Sequence, residues 1–319
     1  MNYDLLIIGA GPAGYVCAIR AAQLGQKTAI VDKEWLGGVC LNVGCIPSKS
    51  LLKNAEVADT LRNRAKEFGF SFDNLKLDYG AAVKRSRQVS SRLTKGVEFL
   101  MKKNKIDVHM GAAMLTSASS VEVTAKDGSK QTHTAKNIVI ATGASVGTPP
   151  GVTLDGKKVL SYWEAILQET LPGSVVIIGG GAIGVEFATV WHAYGADVTI
   201  VEMLPRLVPL EDEEVSKELT KEFTKKGIKV KAGTKLESMD PSGAKVKVKV
   251  SGAEGSETLE ADQVLVATGF KPNSKGIGLE AVGVKTNGRG FIEIDDGMKT
   301  NVPGVWAVGD VTGKLLLAH

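Results

Sequence analysis

The chain has 319 residues, of which 43% are hydrophobic and 23% are charged, and its formal net charge is +4. This length suffices for roughly two domains with a sizeable core, and the balance of apolar and charged residues is typical of a globular protein. The basic residues are spread along the chain, which does not favour nucleic-acid binding. No apolar run approaches the ~20 residues of a membrane helix, so no membrane-spanning segment is predicted.

The first chemical motif is a nucleotide-binding pattern that begins at the third residue, so no signal peptide is expected. An apolar strand, Tyr3–Ile8, leads into the glycine-rich turn Gly9–Gly14 and a helix that runs to Leu24. A second strand, Thr28–Val31, then ends at Asp32. The glycines allow the backbone to approach a pyrophosphate, the helix N-terminus offers N–H groups, and the acid accepts hydrogen bonds from ribose hydroxyls. This pattern predicts a dinucleotide site.

The same pattern occurs a second time in the middle of the chain. The strand Val175–Ile178 leads into Gly179–Gly184, a helix to Tyr194, and the strand Asp197–Val201, which ends at Glu202. The first glycine and the acid are 23 residues apart in both cycles. An internal repeat of this size predicts two nucleotide-binding folds, and two folds in register indicate two different dinucleotides.

The remaining segments predict helices, antiparallel strands and a repeated Ala-Thr-Gly strand end. The expected fold class is α/β, with two Rossmann-like domains of three-layer ββα architecture and β-meanders. The predicted helices are 50–68, 79–103 and 212–226; the predicted strands lie in 108–135 with a turn at Asp127-Gly128, and at 137–140, 245–250, 262–267 and 305–308. The expected domains are 1–148 with 272–319, and 149–271.

Two cysteines lie within the string GGVCLNVGCIPSK, which spans Gly37 to Lys49. On a regular helix, five residues give about 7.5 Å of axial rise, whereas a disulfide needs Cα atoms roughly 4.4–6.8 Å apart. Cys40 and Cys45 can therefore bond only where the backbone is distorted, and Gly44 permits this distortion. Pro47 suits the first turn of a following helix, whose N-terminus favours a nearby thiolate. The residues alone leave open a structural disulfide or two unrelated thiols.

The whole string resembles the redox-active disulfide motif of the flavoprotein disulfide reductases, and its sequence is most like that of the dihydrolipoamide dehydrogenases. The resemblance covers essentially the whole chain. It implies a relay in which a dihydrolipoyl thiolate attacks Cys40, Cys45 passes electrons to FAD, and the flavin reduces NAD⁺. It also implies lipoyl domains of 2-oxo acid dehydrogenase complexes or the glycine-cleavage H protein as partners. A homodimeric full-length protein of the cytoplasm, or of the mitochondrial matrix, is expected.

The resemblance assigns roles to individual residues. Cys40, Cys45, Lys49 and Glu186 are the expected catalytic residues, with Lys49 and Glu186 paired near the flavin; Asp310 is expected at the ribityl chain. The expected FAD-binding residues are Gly9, Gly11, Pro12, Ala13, Gly14, Asp32, Lys33, Gly38, Val39, Cys40, Lys49, Gly111, Ala112, Ala141, Thr142, Gly143, Gly309, Asp310, Leu317, Ala318 and His319. The expected NAD-binding residues are Gly179, Gly181, Ala182, Ile183, Gly184, Glu186, Glu202, Ala267, Thr268 and Gly269.

The nucleotide preference follows from Glu202 on physical grounds. A carboxylate at this position accepts a hydrogen bond from a ribose 2′-hydroxyl and repels a 2′-phosphate, so NAD is expected over NADP. No metal site is predicted. Only three cysteines occur, which suits a reducing compartment, and Cys17 is expected to pack in the core of the first fold.

The sequence departs from the family at its end. It stops at Ala318-His319, before the interface domain that would supply a His–Glu base, and His109, His133 and His192 do not lie in that histidine motif. A fragment of a longer reductase is therefore expected. Two alternatives remain: a reductase of glutathione or mercuric ion, which Glu202 disfavours, and a dinucleotide-binding module without turnover. A dihydrolipoamide assay with NAD⁺ and NADP⁺ separates the two enzymes, and bound FAD without activity favours the module.

Overall fold

The computed structural model describes residues 2–253 and 255–318. Helices and strands alternate along this part of the chain, as an α/β fold requires. The helices are α1 (Pro12–Gln23), α2 (Gly38–Val43), α3 (Cys45–Asn63), α4 (Tyr79–Lys103), α5 (Tyr162–Leu167), α6 (Ala182–Tyr194), α7 (Glu213–Lys226) and α8 (Leu279–Val282). The strands are β1 (Tyr3–Ile8), β2 (Thr28–Asp32), β3 (Asp107–Met110), β4 (Ala112–Ser117), β5 (Ser120–Thr124), β6 (Lys130–Ile140), β7 (Ala144–Val146), β8 (Val159–Leu160), β9 (Ser174–Ile178), β10 (Asp197–Val201), β11 (Lys229–Lys231), β12 (Lys235–Asp240), β13 (Val246–Gly252), β14 (Gly255–Ala261), β15 (Gln263–Val266), β16 (Phe270–Pro272) and β17 (Val305–Ala307).

The chain divides into two compact units. The first contains the residues up to Cys45, Ser90–Ser145 and those from Phe270 onward, and the second contains Ile46–Val89 and Val146–Gly269. Two of these boundaries lie within three residues of the domain limits expected from the sequence. The segment 46–89 differs, because its contacts place it in the second unit, whereas the sequence assigned it to the first domain.

The first unit is built on a seven-stranded sheet with the order β3-β2-β1-β6-β5-β4, to which β17 adds beside β6. Strands β3, β2, β1, β6 and β17 are parallel, and β4 and β5 continue as an antiparallel meander. Strand β6 joins the two parts: its first half pairs with β5, and its second half pairs with β1 and β17.

The core of this unit lies between the parallel strands and the meander. Leu6, Ile138 and Ile140 from the parallel layer pack with Leu115 and Val121 from the meander, and all five are almost fully buried. Helix α1 packs against β1 and β2. These apolar layers explain the near-continuous hydrophobic run of β1, since strands of a parallel sheet are covered on both faces.

The second unit repeats this plan. A parallel sheet has the order β11-β10-β9-β15-β8, and a separate three-stranded antiparallel sheet has the order β12-β13-β14. Val246, Val248 and Val250 alternate along β13 and pack against Val176 and Val264 of the parallel sheet. The KVKVKV pattern thus places its valines in the core and its lysines outside, as the two-residue period of a strand requires. The three-layer ββα architecture predicted from the sequence is confirmed.

Most predicted element boundaries agree with the structure to within a few residues. The helix predicted over 50–68 instead begins at Cys45 and ends at Asn63, and Ala65–Phe68 forms a separate 3₁₀ turn. Gly69 follows this turn with a φ of 74°, a conformation that ends helices. In the part of the chain that the structure describes, no helix is long and apolar enough to cross a membrane.

A stacked pair of histidines lies beside the meander of the first unit. The rings of His109 and His133 have centroids 4.0 Å apart, and the hydroxyl of Tyr3 lies 3.0 Å from Nε2 of His109. His133 is only 9% exposed, and its Nε2 is buried without a hydrogen-bond partner among the described residues. Burial lowers the pKa of both histidines; the charge of His133 lowers that of His109 further, and Asp107 opposes this shift in both.

The lowered pKa values of His109 and His133 predict that the first unit loses stability at mildly acidic pH. An unfolded histidine binds protons below about pH 6.5, while the folded pair resists protonation, so stability is complete above that pH and falls as the pH decreases through it. We expect the midpoint of thermal unfolding to fall from pH 7.5 to pH 5.5, and His133→Leu to reduce this dependence. His192→Gln, outside the pair, is the control. An unchanged pH dependence in His133→Leu contradicts this explanation.

Candidate functional site

The first glycine turn is pressed against the end of β6. Gly9 has a φ of 107°, and a Cβ atom built on it would lie 2.2 Å from the carbonyl oxygen of Ala141. A Cβ on Gly14 would lie 1.9 Å from the carbonyl oxygen of Gly9. Only glycine fits at either position. Gly11 is the N-cap of α1, whose first turn contains no acidic residue, so the N–H groups at this end form a site suited to a phosphate group.

Asp32 is held at the end of β2 by hydrogen bonds from the backbone. Its Oδ2 accepts a hydrogen bond of 2.7 Å from the N–H of Ala10, within the glycine turn. Its Oδ1 accepts from the N–H groups of Glu34, at 2.8 Å, and Trp35, at 3.2 Å. A carboxylate has about four acceptor positions, so one remains for a ribose hydroxyl. The carboxylate of Asp32 thus fixes the turn and keeps one acceptor position, which is what the predicted hydrogen bond from a ribose hydroxyl requires.

The Gly-Asp pair near the C-terminal end lies against the same turn. Gly309 has a φ of 75°, and a Cβ atom there would lie 3.1 Å from Cβ of Ala13. The N–H of Val308 donates to the carbonyl of Ile140 at 2.9 Å, which continues the pairing of β17. Burial raises the pKa of Asp310. A half-buried carboxylate is stabilised by hydrogen-bond donors, and the hydroxyls of a polyol chain would provide them.

The second glycine turn has the same construction within the second unit. A Cβ atom on Gly179, whose φ is 113°, would lie 2.4 Å from the carbonyl oxygen of Ala267, and one on Gly184 would lie 2.0 Å from that of Gly179. Glu202, which is 9% exposed, accepts through Oε2 from the N–H of Gly180 at 2.6 Å. Its Oε1 accepts from the N–H of Leu204 at 2.7 Å. This is the bonding pattern of Asp32.

The cysteines lie on either side of a break in the chain between helices α2 and α3. Cys40 is the third residue of α2, Gly44 follows that helix, and Cys45 begins α3. Gly44 has φ −128° and ψ −118°, and a Cβ atom on it would lie 3.2 Å from Cα of Cys40 and 2.9 Å from the carbonyl oxygen of Val39. The predicted distortion is therefore present at Gly44, and Pro47 lies in the first turn of α3 as expected.

Asn42 stabilises this segment and was not identified from the sequence. Its amide nitrogen donates to the carbonyls of Leu36 and Gly38, each at 2.9 Å. These bonds tie the start of α2 to the residue before the Gly37 turn. The available signal was an amide side chain inside a short apolar segment between two cysteines, because a partly buried amide requires hydrogen-bond partners.

Lys49 and Glu186 form an ion pair within the second unit. Nζ of Lys49 lies 2.6 Å from Oε1 of Glu186, and the two side chains are 62% and 26% exposed. Arg85 supports the start of α3 by donating to Oγ of Ser50 and to Oδ1 of Asn54, both at 2.9 Å. Exposed ion pairs contribute little stability, about 0.2–1 kcal/mol, so this pair adds little to the stability of the unit.

The other expected cofactor residues differ in their burial and in their hydrogen bonds. Gly111 is buried, and a Cβ atom on it would lie 2.5 Å from the carbonyl oxygen of Thr124. The hydroxyl of Thr142 donates to the carbonyl of Asn273 at 2.8 Å, and that of Thr268 donates to the carbonyl of Gly147 at 3.0 Å. His319 lies outside the described residues. The exposed members of the expected set are Lys33, Lys49, Ala112, Ala182, Thr268, Gly309, Leu317 and Ala318.

Comparison with known proteins agrees with this geometry. The family described as pyridine nucleotide-disulphide oxidoreductase matches residues 3–319. The chain belongs to this family. Proteins of this family use FAD and NAD(H), as expected from the two glycine turns.

Individual relatives make the comparison finer. The chain is 52% identical to a dihydrolipoyl dehydrogenase of Mycobacterium leprae and 48% identical to one of Corynebacterium glutamicum, and in each case all of this chain matches 68% of the relative. Among solved structures, LpdA of Mycobacterium tuberculosis has a TM-score of 0.89 at 27% identity, matching 98% of this chain and 69% of its own. The flavoprotein disulfide reductase RclA of Escherichia coli has a TM-score of 0.87 at 28% identity, matching 100% and 68%.

The contacts of Gly44 predict the effect of adding one methyl group there. We expect Gly44→Ala to raise the fraction of dithiol over disulfide, because its Cβ would push α2 away from Cys45. Overpacking of this kind costs about 1–3 kcal/mol, or roughly a 5- to 150-fold change. The measurement is alkylation and mass spectrometry after equilibration with mixtures of oxidised and reduced dithiothreitol. Gly96→Ala, at an open helical position, is the control; identical equilibria in both variants would contradict the prediction.

Proposed function

We propose that this chain carries the cofactor-binding and redox part of a dihydrolipoyl dehydrogenase. In this function, protein-bound dihydrolipoamide is oxidised to lipoamide and NAD⁺ is reduced, through the Cys40–Cys45 pair and FAD. The observation that carries the proposal is the break at Gly44, which separates Cys40 on α2 from Cys45 at the start of α3, while the start of α2 lies against the first glycine turn. The family and the names of the relatives support the same function.

The first unit provides the features that FAD requires. The N-terminus of α1 suits the pyrophosphate, Asp32 suits the ribose of the adenosine half, and Asp310 suits the ribityl hydroxyls. Gly38 belongs to this surface, because a Cβ atom on it would lie 2.5 Å from Cα of Gly11. FAD, when bound, supplies the two-electron acceptor between the dithiol and NAD⁺.

The cysteine pair performs the exchange with the substrate. A thiolate of dihydrolipoamide attacks the sulfur of Cys40, the Cys40–Cys45 bond breaks, and Cys45 leaves as a thiolate. The second substrate thiol then attacks the lipoyl sulfur bound to Cys40, which closes the lipoamide disulfide and releases the Cys40 thiolate. The substrate thus loses two electrons and two protons, and the two electrons remain on the dithiol of the protein.

The second unit would bind the nicotinamide cofactor. The N-terminus of α6 suits its pyrophosphate, and Glu202 suits the ribose 2′-hydroxyl. Because both oxygens of Glu202 already accept backbone N–H groups, the carboxylate is held in one orientation, and it would repel a 2′-phosphate. We therefore propose NAD over NADP. The partner would be a lipoyl domain of a 2-oxo acid dehydrogenase complex or of the glycine-cleavage system.

An anaerobic titration of the purified chain with NADH tests this function. We expect NADH to produce a long-wavelength absorption band, because two electrons passed through the flavin to the cysteine pair would leave a thiolate next to oxidised flavin. Cys45→Ser should retain flavin and lose the band, and NADPH should reduce the flavin much less readily than NADH. Flavin that is reduced without any band in the unmodified chain would refute the redox role of the cysteines, and equal reduction by NADPH would refute the role of Glu202.

Lys49 gives a second prediction. We propose that its ammonium group stabilises the negative charge of reduced flavin and that Glu186 holds it in position, an effect of preorganised electrostatics. Lys49→Ala should slow flavin reduction by NADH by about 10²-fold, which corresponds to about 2.7 kcal/mol. The matched control is Lys53→Ala, which removes the neighbouring ion pair with Glu56 on the same helix. Equal rates in the two variants would show that Lys49 has no such role.

A further inference from the structure

The first turn of α1 and the start of α2 are in direct backbone contact within the first unit. A Cβ atom on Gly38 would lie 2.5 Å from Cα of Gly11, and the N–H of Gly37 donates to the carbonyl of Ala10 at 2.9 Å. Cys40 follows Gly38 by two residues on α2. The helix that carries Cys40 therefore begins directly against the N-terminus of α1.

Tyr15 lies on the part of α1 that is nearest to this contact. Its N–H donates to the carbonyl of Gly11 at 2.9 Å, so it is one helical turn beyond Gly11 and on the same face of the helix. Its side chain is half-buried, as are those of both cysteines. Burial raises the pKa of the Tyr15 phenol, and the charges of Cys40 and then Cys45 raise it further. Charged forms of the two sulfur atoms therefore lie within electrostatic range of this hydroxyl.

We propose that Tyr15 is a positioning residue for the redox pair, whose phenol donates a hydrogen bond to the Cys40 thiolate once the disulfide has been reduced. The inference rests on the proposed function, in which Cys40 is the sulfur that exchanges with the substrate. A phenol beside negative charge remains protonated and so keeps its O–H available as a donor. A hydrogen bond to a charged acceptor is stronger than one to a neutral group, so it favours the thiolate, which is the nucleophile of thiol–disulfide exchange.

The two sulfurs are not equivalent with respect to this donor. Cys40 has the larger electrostatic influence on Tyr15, and Cys45 the smaller. Cys40 lies on α2, which contacts the first turn of α1, whereas Cys45 begins α3 beyond the break at Gly44. Tyr15 is therefore expected to stabilise the thiolate of Cys40 more than that of Cys45. No covalent step is added, since the phenol keeps its proton throughout.

The test is the pH dependence of thiol alkylation in the full chain. The protein is reduced with a phosphine and treated with iodoacetamide at a series of pH values, and tandem mass spectrometry separates the products at Cys40 and Cys45. We expect Tyr15→Phe, which removes only the hydroxyl, to raise the pH midpoint for Cys40 by about one unit, a tenfold loss of rate below the midpoint. The shift for Cys45 should be smaller. The matched control is Tyr194→Phe, because the pKa of Tyr194 is raised mainly by burial and no cysteine contributes.

An unchanged midpoint for Cys40 in Tyr15→Phe overturns the proposal, and so does an equal shift in Tyr194→Phe. If Tyr15→Phe fails to fold, the unmodified chain still gives an answer through the ultraviolet absorbance of tyrosinate. Reduction of the cysteines must then raise the pH at which one tyrosine ionises, and an identical titration before and after reduction overturns the proposal. Neither measurement needs FAD, NADH or turnover, so failure here is distinct from failure of the NADH titration.

Discussion

The two nucleotide turns depend on a contact between backbone atoms. In each, the first glycine follows a central parallel strand and lies against the carbonyl of the alanine in an Ala-Thr-Gly strand end, Ala141 for Gly9 and Ala267 for Gly179. A Cβ atom added to the glycine would lie 2.2 Å from the alanine carbonyl oxygen in the first turn and 2.4 Å from it in the second. Both distances are far below any real contact distance. This closeness sets where the following helix begins, and hence where its N–H groups can bind a phosphate.

The acid at the end of the second strand completes each turn. Asp32 and Glu202 differ by one methylene group, yet each accepts a hydrogen bond from the N–H that follows the first glycine and another from the N–H two residues after itself. Each carboxylate is therefore oriented before any nucleotide binds, which lowers the entropic cost of binding. The residue usually described as a ribose ligand is also a structural part of the turn.

The sequence was sufficient for the features that follow from periodicity and from glycine spacing. Strand β1, helix α4 and strand β10 were predicted with the observed limits, because apolar alternation and glycine turns report directly on backbone geometry. The distortion at Gly44 could also be predicted, since a disulfide cannot span five residues of regular helix. These are local constraints, and a single sequence contains them.

Other features could not be predicted because they depend on which elements meet in space. The short helix α2 has glycine at its start and directly after its end, so its propensity is low, and the hydrogen bonds of Asn42 help to hold it. In the sequence, Tyr15 is an ordinary helical residue. Only the contact between Gly11 and Gly38 shows that the segment carrying Cys40 lies next to its helix. The stack of His109 on His133 joins residues from β3 and β6, which are distant in the sequence.

Helix α3 gives the two cysteines unequal surroundings, and this difference supports the different roles proposed for them. Cys45 and Lys49 are four residues apart on one helix, so they share a face with an axial rise of about 6 Å, and the helix fixes their separation. Cys40 lies on the other side of Gly44, which breaks the helical hydrogen-bond pattern. The sulfur proposed to pass electrons to a fixed acceptor is best placed on the helix that carries the cation. The sulfur that must form and release a mixed disulfide is best placed across the break, where a change of partner does not disturb that arrangement.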